Sequence, residues 1–550
     1  MNTFKKKSLH AAVLAGLGAL GAAGTANAVH INPDGLGQVV IYPYYTVRSN
    51  NVTAMSIINT TSLTKIVKVR FLEGKNSREV LDFNLFLSPQ DMWTGVVLPT
   101  AAGAKLETGD NSCVTPSDLF GNAAGGIRTD GTLALNEFKN YTYIAPTPDS
   151  TSFVTLDRTR EGYMEVIEMG IVTNTVLTGY IKHAAIGTPT ADMPNNCAAL
   201  DAYDGSSAVA PTTAGAVGRF PLHLTSPGGG LTGRASLINS DNGTNYTYDI
   251  TALDGWWAPL IAGTPAYFPA GDLNPNISLT TGISTTSNVF ITGTAAGPGG
   301  VPAAVPAGVV TSTWATSRDA VSAVFMRNTV INEFVTDAGT LSKTDWVITM
   351  PTKKNHIAVG AGTPLRPFSN NFSTTTNGAC DAYSLGIWNR EEGTLTAAPG
   401  VLLPSPTPPA QTAAGQVLCW EANVLEFGAT GLLGSANNFR LLNGFDVFAA
   451  STATTTGAAF ATFSRRVPQS PKNGPNGWAF LGFGATTAGI GQDQQSLTSA
   501  TSSLNGVADA VPRTYYGLPI IGTMFHNYSR VGINSAYGGV IPHKYTRDIR

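Results

Sequence analysis

Charge is scarce in this 550-residue chain. Asp, Glu, Lys and Arg make up 12% of it, about half the usual share, and 33 basic residues nearly balance 35 acidic ones. So few scattered cations cannot form a basic stripe, which excludes a nucleic-acid binder that works through a positive face. Histidine is rarer still, with 7 residues, and none falls in an HxH or HExxH spacing, so no zinc site has a local signature. The 4 cysteines include no CxxC pair, which excludes a local metal ribbon or a thioredoxin-like redox motif. Beyond the N-terminus no apolar run is long enough to cross about 30 Å of hydrocarbon as a helix. The GxSxG elbow, the GxxxxGK[ST] loop and a strand-borne GxGxxG are all missing, so neither a hydrolase elbow nor a phosphate cradle is expected. Long helices are disfavoured as well, because 60 glycines and 33 prolines break helix interiors.

What is present begins with an address. Lys5, Lys6 and Lys7 precede an apolar, glycine-rich stretch from Leu9 to Gly24, and Ala26-Asn27-Ala28 has the small-x-small form of a signal-peptidase site. Residues 1–28 therefore read as a cleaved leader, with the cut between Ala28 and Val29. The stretch is too short and glycine-rich to serve as a membrane span, and no cysteine stands at the cut to carry a lipid. Export brings oxidising conditions, in which Cys113, Cys197, Cys380 and Cys419 predict two disulfides. Three pairings are possible; Cys113–Cys197 with Cys380–Cys419 is favoured because it keeps each bridge within one half of the chain.

The body reads as strands. Gln38–Tyr42 and Val52–Asn59 are apolar and β-branched, and Pro43 should end easy pairing of the first. Lys65–Glu73 alternates, with Val67, Val69 and Phe71 on one face and Lys68 and Arg70 on the other. Glu79–Leu87 repeats the pattern, with Asp82 and Asn84 outward. A period of two predicts one buried and one wet face. Turn-forming residues separate these runs. Four strands at roughly 13-residue spacing predict an all-β, antiparallel, immunoglobulin-like sandwich. Gly162–Ile171 and Val176–Ile181 form a further expected pair. Ala235–Asn239 and Tyr246–Leu253 flank a hairpin turn at Asp241-Asn242-Gly243. Asp345–Met350, Val417–Phe427, Trp478–Phe483 and Leu518–Phe525 complete the strands. A short helix capped by Asp319 should carry Val321, Val324 and Phe325. Low-complexity connections at 294–311, 394–415, 450–457 and 484–503 are long and soft. A boundary near 215–220 divides the mature chain into 29–218, the β-sandwich, and 219–550, a second β-rich part.

Candidate chemistry is thin. The remaining histidines, His30, His183, His223, His356, His526 and His543, read as scattered structural residues. Glu161, Glu165 and Glu168 are the densest carboxylates. On a strand Glu165 and Glu168 point to opposite faces, and Glu161 and Glu165 stand about 13 Å apart, so neither pair fits the two-carboxylate arrangement of a glycosidase. Burial, or pairing with a base such as Arg70, explains them better. Asp241–Asn245 lacks the glutamate of a calcium loop and reads as a turn. Trp256-Trp257 and Tyr42, Tyr44 and Tyr45 fit core packing better than a sugar-stacking surface. No catalytic residue, metal site or cofactor is assigned.

Several phrases carry a resemblance. They are Asn32-Pro33-Asp34-Gly35-Leu36-Gly37-Gln38 running into Tyr42-Pro43-Tyr44-Tyr45, Lys68-Val69-Arg70-Phe71, Asn76-Ser77-Arg78-Glu79-Val80-Leu81-Asp82-Phe83-Asn84, Glu161–Gly170, Thr344–Lys353 and Tyr537–Arg547. Together they resemble a family of uncharacterised exported proteins of Gram-negative bacteria, sometimes labelled only as cell-surface proteins. The resemblance spans most of the mature chain and implies no activity. The expected function is that of an exported, non-enzymatic protein at the cell surface or outside, or in the periplasm, with a structural, adhesive or matrix-assembly role. Its expected partners are itself or other envelope components. The alternatives are a secreted carbohydrate-active hydrolase and an outer-membrane β-barrel.

Overall fold

The structure, a computed structural model of the full chain, describes residues 28–120, 136–145, 148–149, 153–183, 193–204, 223–258, 267–291, 307–337, 339–374, 377–389, 417–427, 431–443, 463–467, 476–484, 495–508, 511–529 and 536–550. The leader before Ala28 and the proline-rich run within 394–415 lie outside them. The described residues are mostly β, with few helices, in several sheets of which none is closed.

Thirteen strands build the first two sheets. They are β1 (His30–Ile31), β2 (Val39–Thr46), β3 (Val52–Asn59), β4 (Lys65–Glu73), β5 (Glu79–Leu87), β6 (Met92–Pro99), β7 (Ala104–Glu107), β8 (Val114–Thr115), β9 (Glu161–Val172), β10 (Leu224–Thr225), β11 (Leu231–Asn239), β12 (Thr244–Asp249) and β13 (Thr251–Asp254). One sheet runs β1-β13-β2-β9-β4-β5-β8 with β10 beside β9, and the other runs β12-β11-β3-β6-β7. Val40, Val69, Phe83 and Val166 from the first sheet share one apolar cluster with Ile57, Trp93, Leu237 and Tyr248 from the second. Alternate residues supply this shared core because successive side chains of a strand point to opposite faces.

The other face of the eight-stranded sheet is not wet. Val39, Ile41, Tyr163 and Ile167 pack there against Trp256, Trp257, Ile283, Val289 and Trp314, and against Val321 and Val324 of the helix Ser317–Phe325. Every residue of β4 is buried, so the outward face expected for Lys68 and Arg70 is a second interior. Period-two alternation shows that two faces differ; cover over the polar face comes from residues far away in sequence. Asn84, also expected outward, is buried and donates to the Phe268 carbonyl, 3.1 Å away.

Other expectations need correction. Val176–Ile181 is no strand: Thr175–Ile181 is helical, with the Asn174 side chain accepting from the N–H groups of Val176 and Leu177 at 2.9 and 3.1 Å. Leu177 and Ile181 are both buried at the i, i+4 spacing that puts them on one helix face. The cap of Ser317–Phe325 is Thr316 rather than Asp319; the Thr316 hydroxyl accepts from the Asp319 N–H at 3.2 Å, while Asp319 supplies the negative charge of the first turn. Pro43 does not end its strand: β2 runs on to Thr46, with a register shift against β9 between Tyr42 and Tyr45. The expected loops at 294–311 and 484–503 contain the start of strand Gly308–Thr313, then Ser496–Thr498 and much of Thr501–Leu504. Ala422–Phe427 pairs in parallel with Asn438–Asn443, and that strand pairs in parallel with Phe463–Val467, a departure from the all-antiparallel expectation.

Sheet pairing also crosses residue 218. β11 pairs with β3, and β13 pairs with β2, so a unit of residues 29–218 alone would lack strands from both sheets. At the expected start of the mature chain, the buried Val29 donates its N–H to the Thr286 carbonyl at 2.8 Å.

Both disulfides form with the favoured pairing, Cys113–Cys197 and Cys380–Cys419. They suit an oxidising, extracytoplasmic setting. No helix among the described residues is long and apolar enough to cross a membrane. The Cys113–Cys197 bridge closes a separation of 84 residues, for which chain entropy gives about 4–5 kcal/mol. Cys113→Ser together with Cys197→Ser should lower unfolding stability by roughly that amount, read as a lower urea midpoint at unchanged slope. An unchanged midpoint would show the bridge to be dispensable.

Candidate functional site

Some of the few charges of the chain are gathered inside it. Four ion pairs link adjacent strands of the eight-stranded sheet: Lys65–Glu168 at 2.6 Å, Lys68–Asp82 at 2.6 Å, and Arg70 with both Glu79 at 2.6 Å and Glu165 at 2.7 Å. The pairing expected between a β9 glutamate and Arg70 is therefore present. Glu161 accepts from Arg48 Nε at 2.8 Å, from the Tyr44 hydroxyl at 2.9 Å, and from the Ser435 hydroxyl. All three β9 glutamates are paired with a cation, an arrangement that holds structure.

The densest cluster surrounds the turn between β4 and β5. Glu73 accepts from the N–H groups of Lys75, Asn76 and Arg78 at 2.7, 2.9 and 2.9 Å, which folds residues 74–78 around its carboxylate. Arg158 grips that carboxylate with two hydrogen bonds at 2.6 and 2.8 Å and grips Asp149 with two more at 2.8 and 3.0 Å. Burial alone would raise both acids; Arg158 outweighs it and holds Glu73 and Asp149 below the usual carboxylate range.

The turn itself reaches into the second half of the chain. The Gly74 carbonyl accepts from the N–H groups of Glu421 and Ala422 at 3.1 and 2.9 Å. Ser77, with φ of 46°, donates to Glu421 Oε2 and accepts from the Tyr163 hydroxyl at 2.7 Å. Lys75 Nζ donates to Asn437 Oδ1 at 2.8 Å and lies 4.3 Å from the Trp420 ring centroid. Burial pushes the Glu421 carboxyl up to about 8, against the pull of Lys354 and Lys353. Burial, then repulsion from Glu426, does the same to Asp345, whose Oδ2 accepts from the N–H groups of Leu432 and Leu433 at 2.8 Å each. The sequence marked residues 74–76 only as a turn; partners some 350 residues away carry no local signal.

The histidines are dispersed as expected. Among the described residues His183 Nδ1 lies 3.5 Å from Ser88 Oγ; a closer contact is the pair of His356 and Ser322, with Nε2 2.7 Å from Oγ, and Ser322 also donates to Thr352 at 2.8 Å. Both are buried, and burial, with Arg318 nearby, drives the imidazole down to about 3. A neutral, enclosed Ser–His pair with no approach for a substrate makes a packing contact. Among the described residues no three His, Cys, Asp or Glu side chains converge on a position for a metal ion. Asp241 accepts from Asn50 at 2.7 Å within the hairpin turn. An open depression beside Gly360, Pro364, Asn370 and Thr374 has no ionisable side chain in its wall.

Trp256, Trp257, Tyr42, Tyr44 and Tyr45 are all core. The aromatic surface lies elsewhere, on the sheet that orders Ser384–Asn389, Asn476–Gly482, Thr329–Val335 and Lys544–Thr546. Asn476–Gly482 alternates with Ala479 and Leu481 in the core and Trp478 and Phe480 outside it. Trp388 is the direct cross-strand partner of Trp478; their rings stack at 4.3 Å and 13°, and Phe480 adds a ring 5.5 Å from Trp388. A Cβ at Gly386 would come within 2.3 Å of Phe480 and 2.6 Å of Trp388, so the missing side chain lets the rings lie across the strand. Trp478 keeps 41% of its surface exposed, and exposed Glu333 stands opposite it in register. The sequence reading marked this strand but could not tell which face its aromatics take.

Compared with family models, with curated proteins and with solved structures, the chain matches none.

Two outcomes follow from the buried charges. Arg158→Met should cost about 3–5 kcal/mol, because it strands two buried carboxylates; a smaller loss of urea stability would mean that the cluster relaxes. Glu421 carries a folded-state value raised from 4.5 to about 8. Between those values the folded state keeps a proton that the unfolded state has released, so stability falls as pH rises. Asp345 acts with the same sign, while His356 and His543, kept neutral by burial, oppose it below about pH 6.5. Urea midpoints measured from about pH 6.5 to 8 should drop, and Glu421→Gln should make that slope shallower; an unaltered slope in the variant would remove Glu421 as a source.

Proposed function

We propose that this chain is an exported, non-catalytic β-protein of the cell surface or extracellular space, and that its contact with surroundings is adhesive. The observation that carries this reading is the outward aromatic face of Trp388, Trp478 and Phe480. Large aromatic side chains on the solvent side of a sheet contribute nothing to its core, and an exposed apolar patch marks a contact site. A glycan fits the chemistry: its C–H faces stack on flat rings, while its hydroxyls reach polar neighbours such as Glu333, Lys544 and Thr546 on the same face. The leader, the two disulfides and the family resemblance support export. A two-sheet, immunoglobulin-like sandwich for β1–β13 is part of the proposal, supported by their shared core. The open sheets give the barrel alternative no support.

The test has two arms. Protease treatment of intact producing cells, with the supernatant and membrane fraction probed in parallel, should find the protein shaved or released. Purified protein should sediment with insoluble polysaccharides such as cellulose, chitin or peptidoglycan, and Trp388→Ala with Trp478→Ala should reduce bound protein at least tenfold, roughly the loss of one hot-spot aromatic. Protein protected until the outer membrane is broken would overturn the surface location. Binding that is absent, or indifferent to the double substitution, would overturn the aromatic face as the contact.

A further inference from the structure

We propose that Lys75 and Asn437 become covalently joined by an isopeptide bond between Nζ and Cγ. This inference is independent of the glycan reading. Lys75 stands at the tip of the β4–β5 turn, and Asn437 lies 362 residues further along the chain. Their side chains are already in contact, with Nζ donating to Oδ1 at 2.8 Å. That distance puts the amine beside the carboxamide carbon it would attack, and positioning of this kind replaces an encounter in solution.

Four features favour reaction over a simple hydrogen bond. Both residues are buried, which shields the amine from water. Aromatic rings wall the site, with Trp420 at 4.3 Å and Phe153 at 5.1 Å from Nζ. Burial lowers the Lys75 ammonium to about 8, with Arg158 and Arg48 pushing the same way and Glu161 and Glu73 opposing; a neutral amine, the nucleophilic form, is therefore accessible. Asn437 Nδ2, the group that must leave, has no hydrogen-bond partner. The acceptor is also held in place: Ser435 and Ala436 both donate to Glu161, and the Asn437 carbonyl accepts from the Val424 N–H at 2.9 Å.

The step balances without any co-reactant. The Nζ lone pair attacks Cγ, the Nζ–Cγ bond forms, and the Cγ–Nδ2 bond breaks with its electron pair passing to Nδ2. One proton moves from Nζ to Nδ2, and ammonia departs. A primary amine and a carboxamide become a secondary amide and ammonia, with no change of oxidation state.

Mass spectrometry of the reduced, exported protein tests this. The intact mass should be about 17 Da below that of the leaderless sequence, the mass of one ammonia. Trypsin should fail to cut after Lys75 and should release a branched peptide joining residues 71–78 to the segment that holds Asn437. Lys75→Arg and Asn437→Ala should each restore the full mass and the unbranched peptides. A full mass in the unaltered protein would overturn the proposal. So would a loss of the same size confined to an unbranched peptide, which is the mark of a succinimide at an asparagine.

Discussion

A sheet covered on both faces has no water to offer a charge, and the eight-stranded sheet is such a sheet. Moving an unpaired ion into that interior costs several kcal/mol, so every charge on β4 and β9 must meet its opposite there. Lys65, Arg70, Glu165 and Glu168 meet one another across adjacent strands, or find Glu79 beside them. The low charge of the chain takes on a meaning from this. Part of a small set of ionic residues serves as internal fastening.

Fastening of this kind is directional in a way that apolar packing is not. Arg158 bonds both Glu73 and Asp149 with its planar fork, which fixes the turn at 74–78 relative to the segment that leads into β9. That turn then meets Glu421, Ala422 and Asn437. Thr349 makes a second link by donating to the Pro43 carbonyl at 2.6 Å. The two halves of the chain are thus joined by hydrogen bonds in low-dielectric surroundings, where each is stronger than at a wet surface.

Local pattern was enough for some of this. Alternation in Lys65–Glu73 and Glu79–Leu87 located β4 and β5 to the residue, and compartment and spacing favoured the disulfide pairing that forms. The resident of the polar face was named correctly where a glutamate was matched to Arg70. What escaped the sequence is whatever depends on distant cover. Trp256 and Val321 bury the far face of β4 from nearly 200 residues away or more, so no window around Lys68 could show it. Thr175–Ile181 was misread for another reason: its β-branched residues suggest a strand, while the Asn174 cap and the Leu177–Ile181 spacing decide for a helix. Trp388 and Trp478 meet only because two strands 90 residues apart pair in one register.

Val29 and one edge of each of β2 and β3 find their partners late. Val52 waits for Ile238, Val39 for Leu253, and Val29 for Thr286. A chain that is made and delivered N-terminus first pairs β3 with β6 early and β2 with β9 later, but holds the other edge of each open until β11 and β13 have followed. Pairing at such separation is slow, because loop closure comes before any contact that rewards it. During that interval the β-branched runs Val39–Ile41 and Ile57–Ile58 are open to strands of other chains. The rate at which the rest of the chain is supplied, rather than the stability of the finished sheets, then sets how much of it aggregates.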